Sequence, residues 1–367
     1  MRVGVEAALV GGELVEGDVT VSDGVVAAVG VQPAGPAGTA VPGFVDVHIN
    51  GVAGVDFLTA DVADYRRAAG ALARTGVVAF QPTFVSSHLP AYAEPLAAAA
   101  EVAAAPDGGP FVTGVHLEGP FLSPLWPGAH DPAYLRAPDP GLADRLVSAG
   151  PVRMMTLAPE LPGGLDLVER LARGGVAVSC GHSDADAPTA HTAFDRGAAA
   201  ITHLHNAHRR WRPRDPGVGG VALVRPDATV QAIVDGVHLA PEAAYAAFLA
   251  SGPRFCLVTD AIEAAMLEAG DYELGGRPVQ VRDGAVRLLD GTLAGSVVTM
   301  DEAVRNLVAS GASLPAAVHA ASTAPARLIG RDDLGALRPG DPAHLTVLGE
   351  ELRPRRTLVN GVEVFAT

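Results

Sequence analysis

Five short apolar runs in this chain each close on a side chain that can bind a metal or carry a proton. They are Val45-Asp46-Val47-His48-Ile49-Asn50, Val115-His116-Leu117-Glu118, Val178-Ser179-Cys180-Gly181-His182, Ile201-Thr202-His203 and Leu257-Val258-Thr259-Asp260. Glu118, His182 and His203 offer one carboxylate and two imidazoles, a set that suits zinc with a coordination position left for water. An ion held in this way lowers the pKa of that water and polarises a carbonyl. Asp260 can serve such a site by taking the water's proton and passing it to a leaving nitrogen, and it can equally cap the helix that follows. His48 reads equally as an accessory ligand and as a residue that only hydrogen-bonds, because its partner in a His-x-His pattern is Asn50, a poor zinc ligand. Singly, each of these residues is ordinary; four of them closing successive apolar runs describe a site.

A second group is basic. His205-Asn206-Ala207-His208-Arg209-Arg210-Trp211-Arg212-Pro213-Arg214 directly follows the run that ends in His203, within a chain of formal net charge −15. Positive charge confined to one loop points to an anionic substrate group, and phosphate matches the arginine fork best. Any one of these arginines reads as a solvated surface residue; the run as a whole reads as anion binding. His130 and His238 lie in loops near run ends, placed to donate to a substrate oxygen or to hold loop structure.

Residues so far apart in the chain meet only if the elements carrying them converge. Candidate strands at 44–50, 77–85, 111–118, 152–158, 176–182, 199–203, 229–235 and 254–260 alternate with segments of helical period at 61–74, 133–149, 166–173 and 241–250. Such alternation predicts a parallel sheet with covering helices, and eight strands close an α/β barrel of the TIM type. An open doubly wound sheet would carry a glycine-rich phosphate fingerprint after its first strand, which Gly51-Val52-Ala53-Gly54 does not match. Both ends of the chain alternate apolar and polar residues around Gly11-Gly12, Asp23-Gly24 and Asn360-Gly361, so residues 1–41 and 337–367 are expected to pair into a small β-sandwich domain. Residues 42–336 then form the barrel domain.

Composition removes several chemistries. All 26 basic residues are arginine, so a carbamylated-lysine metal bridge, a Schiff base and a Walker phosphate loop are excluded. The acidic balance argues against nucleic acid as a partner. Cys180 and Cys256 both sit within apolar runs and read as buried free thiols, in keeping with a reducing cytoplasm. No secretory leader and no membrane-spanning stretch are expected.

The chain resembles the N-acetylglucosamine-6-phosphate deacetylase family of the amidohydrolase superfamily over nearly its full length. The matching motifs include Pro42-Gly43-Phe44-Val45-Asp46, His116-Leu117-Glu118-Gly119-Pro120-Phe121 and Gly128-Ala129-His130. They continue through Gly181-His182-Ser183, Thr202-His203-Leu204, Arg214-Asp215-Pro216-Gly217, Val258-Thr259-Asp260-Ala261 and Leu293-Ala294-Gly295-Ser296. The resemblance implies metal binding by Glu118, His182 and His203, with Asp260 as general base and then general acid. It implies that Asn206, the backbone of Ala207 and, from a neighbouring subunit, Arg214 hold a sugar phosphate. His238 and His130 would contact the sugar or polarise the acetyl carbonyl, and the backbone at Ala129 and at Leu293, Ala294 and Gly295 would line the pocket.

The implied reaction is deacetylation of N-acetylglucosamine 6-phosphate by a cytoplasmic homodimer, in amino-sugar catabolism and cell-wall recycling. One Zn2+ is the expected cofactor, with Fe2+ and Mn2+ as alternative occupants and a second ion left open by His48 and Asn50. The alternatives are a deacetylase for N-acetylgalactosamine 6-phosphate or another N-acyl substrate, and a non-catalytic scaffold on the same fold.

Overall fold

A computed structural model describes residues 1–106 and 108–367. Eight parallel strands form a nearly closed barrel: β1 Phe44–Ile49, β2 Val77–Val85, β3 Val115–Glu118, β4 Val152–Leu157, β5 Ala177–Cys180, β6 Ala198–Ile201, β7 Thr229–Ala232 and β8 Phe255–Leu257. They pair in chain order from β1 to β8. Strands covered on both faces read as unbroken apolar runs, and every residue of β1, β2 and β3 is buried. The outer helices show the complementary pattern. In Gly164–Arg173, Leu167, Val168 and Leu171 face inward, with Asp166 in the first turn and Arg170 and Arg173 in the last, where each charge suits the helix dipole.

The seam of the barrel is stitched by polar atoms. The Asp260 N–H donates to the His48 carbonyl at 2.8 Å, and the Thr259 hydroxyl donates to Asp46 Oδ2 at 2.6 Å. On the other side of Asp260, the Ser296 N–H donates to its carbonyl at 2.8 Å, and Ser296 Oγ donates to the Thr259 carbonyl at 2.6 Å. Burial pushes the Asp46 carboxyl up to about 6, although the Thr259 hydroxyl bond pulls the other way.

The two ends of the chain meet in a six-stranded mixed sheet, in the order Glu13–Glu16, Ala7–Val10, Thr39–Pro42, Leu345–Leu348, Pro354–Val359 and Val362–Ala366. The hairpin Asp18–Ser22 with Val25–Val31 packs against it over a separate core that includes Val5, Val19, Val26, Leu345 and Leu358. Gly43 joins Thr39–Pro42 to β1, where a Cβ would lie 2.3 Å from Val78, so the chain passes into the barrel at close quarters. No helix among the described residues is long and apolar enough to cross a membrane.

Three expectations need correcting. The helix anticipated over 133–149 begins only at Pro140 and ends at Ser148: Asp139 caps it, Pro140 occupies its first position, and residues before a proline avoid the helical region. The strand anticipated over 111–118 breaks at Gly114, whose φ is +142°, into Phe111–Val112 and β3. Several strands end earlier than their apolar runs, since β5, β6 and β8 stop two or three residues short of His182, His203 and Asp260. After β8 the chain also builds a three-stranded antiparallel sheet, Asp271–Leu274, Arg277–Arg282 and Ala285–Leu288, which pattern reading missed.

Candidate active site

Glu118, the last residue of β3, is the hub. Its Oε1 lies 3.1 Å from His182 Nε2 and 3.0 Å from His203 Nε2, and those two nitrogens are 3.2 Å apart. Its Oε2 faces His130 Nε2 at 3.4 Å and His48 Nε2 at 3.6 Å. All these side chains are buried.

The backbone that presents them is strained. His182, His203 and Asp260 have φ of +48°, +28° and +48°, in the left-handed region that side chains other than glycine rarely enter. Each such residue costs on the order of 1 kcal/mol or more, and such outliers cluster at functional sites. The turn at each position explains why the strands stop short: it breaks the ladder and swings the side chain across the barrel mouth. Gly128, with φ of +55°, is needed beside them, because a Cβ there would come 2.9 Å from His182 Cε1.

Hydrogen bonds to the far side of each imidazole sort ligands from donors. His182 Nδ1 meets the Trp126 carbonyl at 2.9 Å and His203 Nδ1 meets the Asn206 carbonyl at 3.1 Å. A carbonyl only accepts, so both rings carry their proton on Nδ1 and turn an Nε2 lone pair toward Glu118. Two lone pairs and a carboxylate oxygen within 3.2 Å of one another repel unless a cation lies between them. Tetrahedral zinc ligands with bonds of about 2.0 Å stand roughly 3.3 Å apart, so the donor set fits such an ion in type and spacing. His130 is arranged the opposite way. The Ser86 N–H donates to its Nδ1 at 3.1 Å, so the neutral ring presents Nε2–H to the site as a donor.

Asp260 faces this group from the turn that follows β8. Its Oδ1 accepts from Asn50 Nδ2 at 2.6 Å and lies 3.2 Å from His48 Nε2. Burial would raise the Asp260 carboxyl, but the positive charge of His48 wins and holds it below the usual range. Burial opposes the charge on His48 in turn, and the carboxylates of Asp260 and Glu118 raise its pKa well above that of a free imidazole. Beneath them His116, kept neutral by burial, bridges the hydroxyls of Thr83 and Thr156, at 3.2 and 2.8 Å. The chain of hydroxyls continues to Thr202 and Ser179, giving the site a rigid, hydrogen-bonded floor.

A profile of the amidohydrolase family matches residues 39–364. The chain is 40% identical over 343 residues to N-acetylglucosamine-6-phosphate deacetylase of Bos taurus, covering 88% of this chain and 83% of that protein. It is 36% identical over 351 residues to N-acetylgalactosamine-6-phosphate deacetylase of Escherichia coli O157:H7, covering 93% of each. Among solved structures, a mutant N-acetyl-D-glucosamine-6-phosphate deacetylase from Mycobacterium smegmatis, in complex with N-acetyl-D-glucosamine-6-phosphate, superposes with a TM-score of 0.94 at 34% identity, over 100% of this chain and 99% of that one. The chain belongs to the N-acetylglucosamine-6-phosphate deacetylase family of the amidohydrolase superfamily.

In this deacetylase-family barrel the site opens into a cavity of about 50 Å³. Of the residues singled out from sequence, Glu118, Ala129, His130, His182, His203, Ala207, His238, Asp260, Leu293 and Gly295 line it. His238 donates from Nδ1 to Asp235 at 2.7 Å, which leaves its Nε2 for the cavity. His48, in contact with Glu118 and Asp260, does not line it, and three further residues lie elsewhere. Ala294 is buried in the turn behind the wall, and the Asn206 amide folds back onto the carbonyls of Leu204 and His203. Arg214 is exposed on the outer loop. Arg209 is committed within the fold, holding Asp215 at 2.9 Å and Asp184 at 3.0 Å. Asp184 in turn receives the Trp126 indole N–H at 2.8 Å, and the Trp126 carbonyl orients His182, so part of the arginine run steadies a candidate ligand. A larger cavity of about 580 Å³ opens at the opposite end of the barrel, but none of its lining residues is His, Cys, Asp or Glu. Barrel enzymes carry their chemistry at the C-terminal face, where the 50 Å³ cavity lies.

Proposed function

We propose that this chain hydrolyses the acetamide of N-acetylglucosamine 6-phosphate to acetate and glucosamine 6-phosphate. The observation that carries the reading is the convergence of Glu118 Oε1, His182 Nε2 and His203 Nε2 opposite the ionised Asp260. Those three residues would hold one divalent ion, Zn2+ being the best fit to the donor set and Fe2+ or Mn2+ the alternatives. When bound, the ion acidifies the attacking water and polarises the acetamide carbonyl. Asn50 and His48 gather at Asp260 Oδ1, which leaves Oδ2 to take the proton as the water oxygen bonds to the carbonyl carbon. The Nε2–H of His130 donates to the oxyanion that develops. Protonated Asp260 then gives its proton to the amine nitrogen as the C–N bond breaks. Asn50 presents an amide where a His-x-His pair presents a second imidazole, so a second ion would lack that nitrogen ligand, and we assign one ion.

Acetate release from N-acetylglucosamine 6-phosphate, measured before and after chelation, tests this reading. Turnover is expected to vanish with the chelator and return with Zn2+; an untreated, metal-loaded protein that releases no acetate would refute the reaction. A second substrate is favoured by one observation, the equal 93% coverage shared with the N-acetylgalactosamine-6-phosphate deacetylase. Side-by-side kcat/KM for the two sugar phosphates decides between them.

The sugar phosphate is assigned to Ala207, Asn206 and Arg214, the last from the neighbouring subunit of a homodimer, a role compatible with its exposure outside its own cavity. Arg214→Ala should raise KM for the phosphorylated substrate roughly 10- to 100-fold, the worth of a charge-assisted contact, with little change for unphosphorylated N-acetylglucosamine. Equal effects on both substrates would remove the phosphate role. A cytoplasmic location belongs to the same reading, supported by the two buried free thiols Cys180 and Cys256.

A further inference from the structure

We infer that the tip of the three-stranded sheet is a lid over the site, and that Arg277 at that tip is a positioning residue that fixes His130 when the lid is down. The inference deepens the reaction proposed above and rests on the role given there to His130.

The tip is the tight turn Leu274-Gly275-Gly276-Arg277 between the first two strands of that sheet, with φ of +57° and +77° at the two glycines. Glycine is required at the first of them, since a Cβ on Gly275 would come 2.7 Å from the Val85 side chain at the end of β2. Leu274 lines the catalytic cavity directly. Arg277 reaches in the other direction: its Nη1 donates to the carbonyls of both Ala129 at 2.9 Å and His130 at 3.2 Å. The His130 residue is therefore held twice, at its ring by the Ser86 N–H and at its backbone by a guanidinium from a segment nearly 150 positions away.

The cavity is too small for a sugar phosphate as it stands, so the inference is that this wall moves to admit one. About 50 Å³ accommodates a few waters, whereas pockets for small-molecule ligands run from roughly 300 Å³ upward. Leu274 and Leu293 both line the cavity, so a hexosamine phosphate needs this wall to shift before it can be seated. The root of the sheet stays in place, because Val279, Val281, Val286 and Leu288 are buried in the main core. At the tip only Leu274 joins that core, and the remaining ties are the Arg277 contacts and a bond from the Glu273 N–H to Glu263 Oε1 at 3.2 Å. Lifting the tip breaks the two Arg277 bonds and releases the 129–130 peptide; lowering it over substrate restores them. Closure and alignment of the oxyanion donor are thus a single event, which is how a lid can restrict full activity to an occupied site.

The test compares metal-loaded wild type, Arg277→Ala and Arg277→Lys. Steady-state kinetics with N-acetylglucosamine 6-phosphate, amide hydrogen exchange over residues 128–131 and 271–282, and metal content are read on each. Arg277→Ala is expected to lower kcat roughly 10- to 100-fold through misplacement of a catalytic group, with faster exchange at 128–131 and unchanged metal. Arg277→Lys, whose ammonium can still serve one carbonyl, is expected to recover most of both losses. Wild-type kcat and exchange in Arg277→Ala would overturn the inference, as would a kcat loss without faster exchange at 128–131, or a lysine variant no better than alanine. If wild type itself releases no acetate, the proposed reaction fails, and the exchange comparison still judges the latch on its own.

Discussion

Asp260→Asn is expected to give a folded protein that keeps its metal and binds the sugar phosphate, yet turns over roughly 10²- to 10⁴-fold more slowly, the range for loss of a positioned acid–base group. The substitution is nearly isosteric. Asparagine still offers an oxygen to Asn50 Nδ2, and the backbone bonds that tie residue 260 to His48 and Ser296 do not involve the side chain. What disappears is an oxygen basic enough to take a proton and then return it. Measurement of kcat, metal content by elemental analysis and substrate binding by calorimetry separates these outcomes. A variant with near-normal kcat would show that the proton is carried by another group.

Glu118→Gln should act at an earlier step and empty the site. Among the described residues Glu118 is the only carboxylate in contact with both Nε2 lone pairs, and its Oε2 also faces His48 and His130. Burial alone would push its pKa up, but the charge of His48 and the hydrogen bond from His130 hold it well below the usual carboxylate range. A neutral amide keeps the shape and loses the negative charge that balances a divalent ion. Metal affinity is expected to fall on the order of 10³-fold or more, with activity falling in step at limiting metal. Metal retained after dialysis, set beside that of Asp260→Asn, distinguishes a ligand from a base. Full retention by Glu118→Gln would place the ion elsewhere.

The barrel was legible from sequence because buried parallel strands must be apolar on both faces, and because the reactive residues punctuate them in order. The ends of the strands were not legible. His182, His203 and Asp260 adopt left-handed backbone that no pattern of polarity reveals, so strands drawn to the end of each apolar run overshoot. The role of Asn50 was hidden for a different reason: as a would-be ligand it looked deficient, and its partner Asp260 lies 210 residues away. Arg209 was read with its neighbours as part of an anion site, whereas acids contributed by the 184 and 215 segments already satisfy it. The three-stranded sheet did leave a trace, in Gly275-Gly276, Asp283-Gly284 and Asp290-Gly291 between alternating residues, the same turn signal that located the terminal strands.

The polar stitching between the first and last barrel strands has a bearing on engineering. The peptide group that closes the cylinder belongs to Asp260, the residue proposed to shuttle the proton, so loosening there is expected to degrade architecture and reactivity together. Attempts to harden this protein against heat are best directed to the outer helices and the terminal sheet, where added rigidity leaves that shared joint untouched.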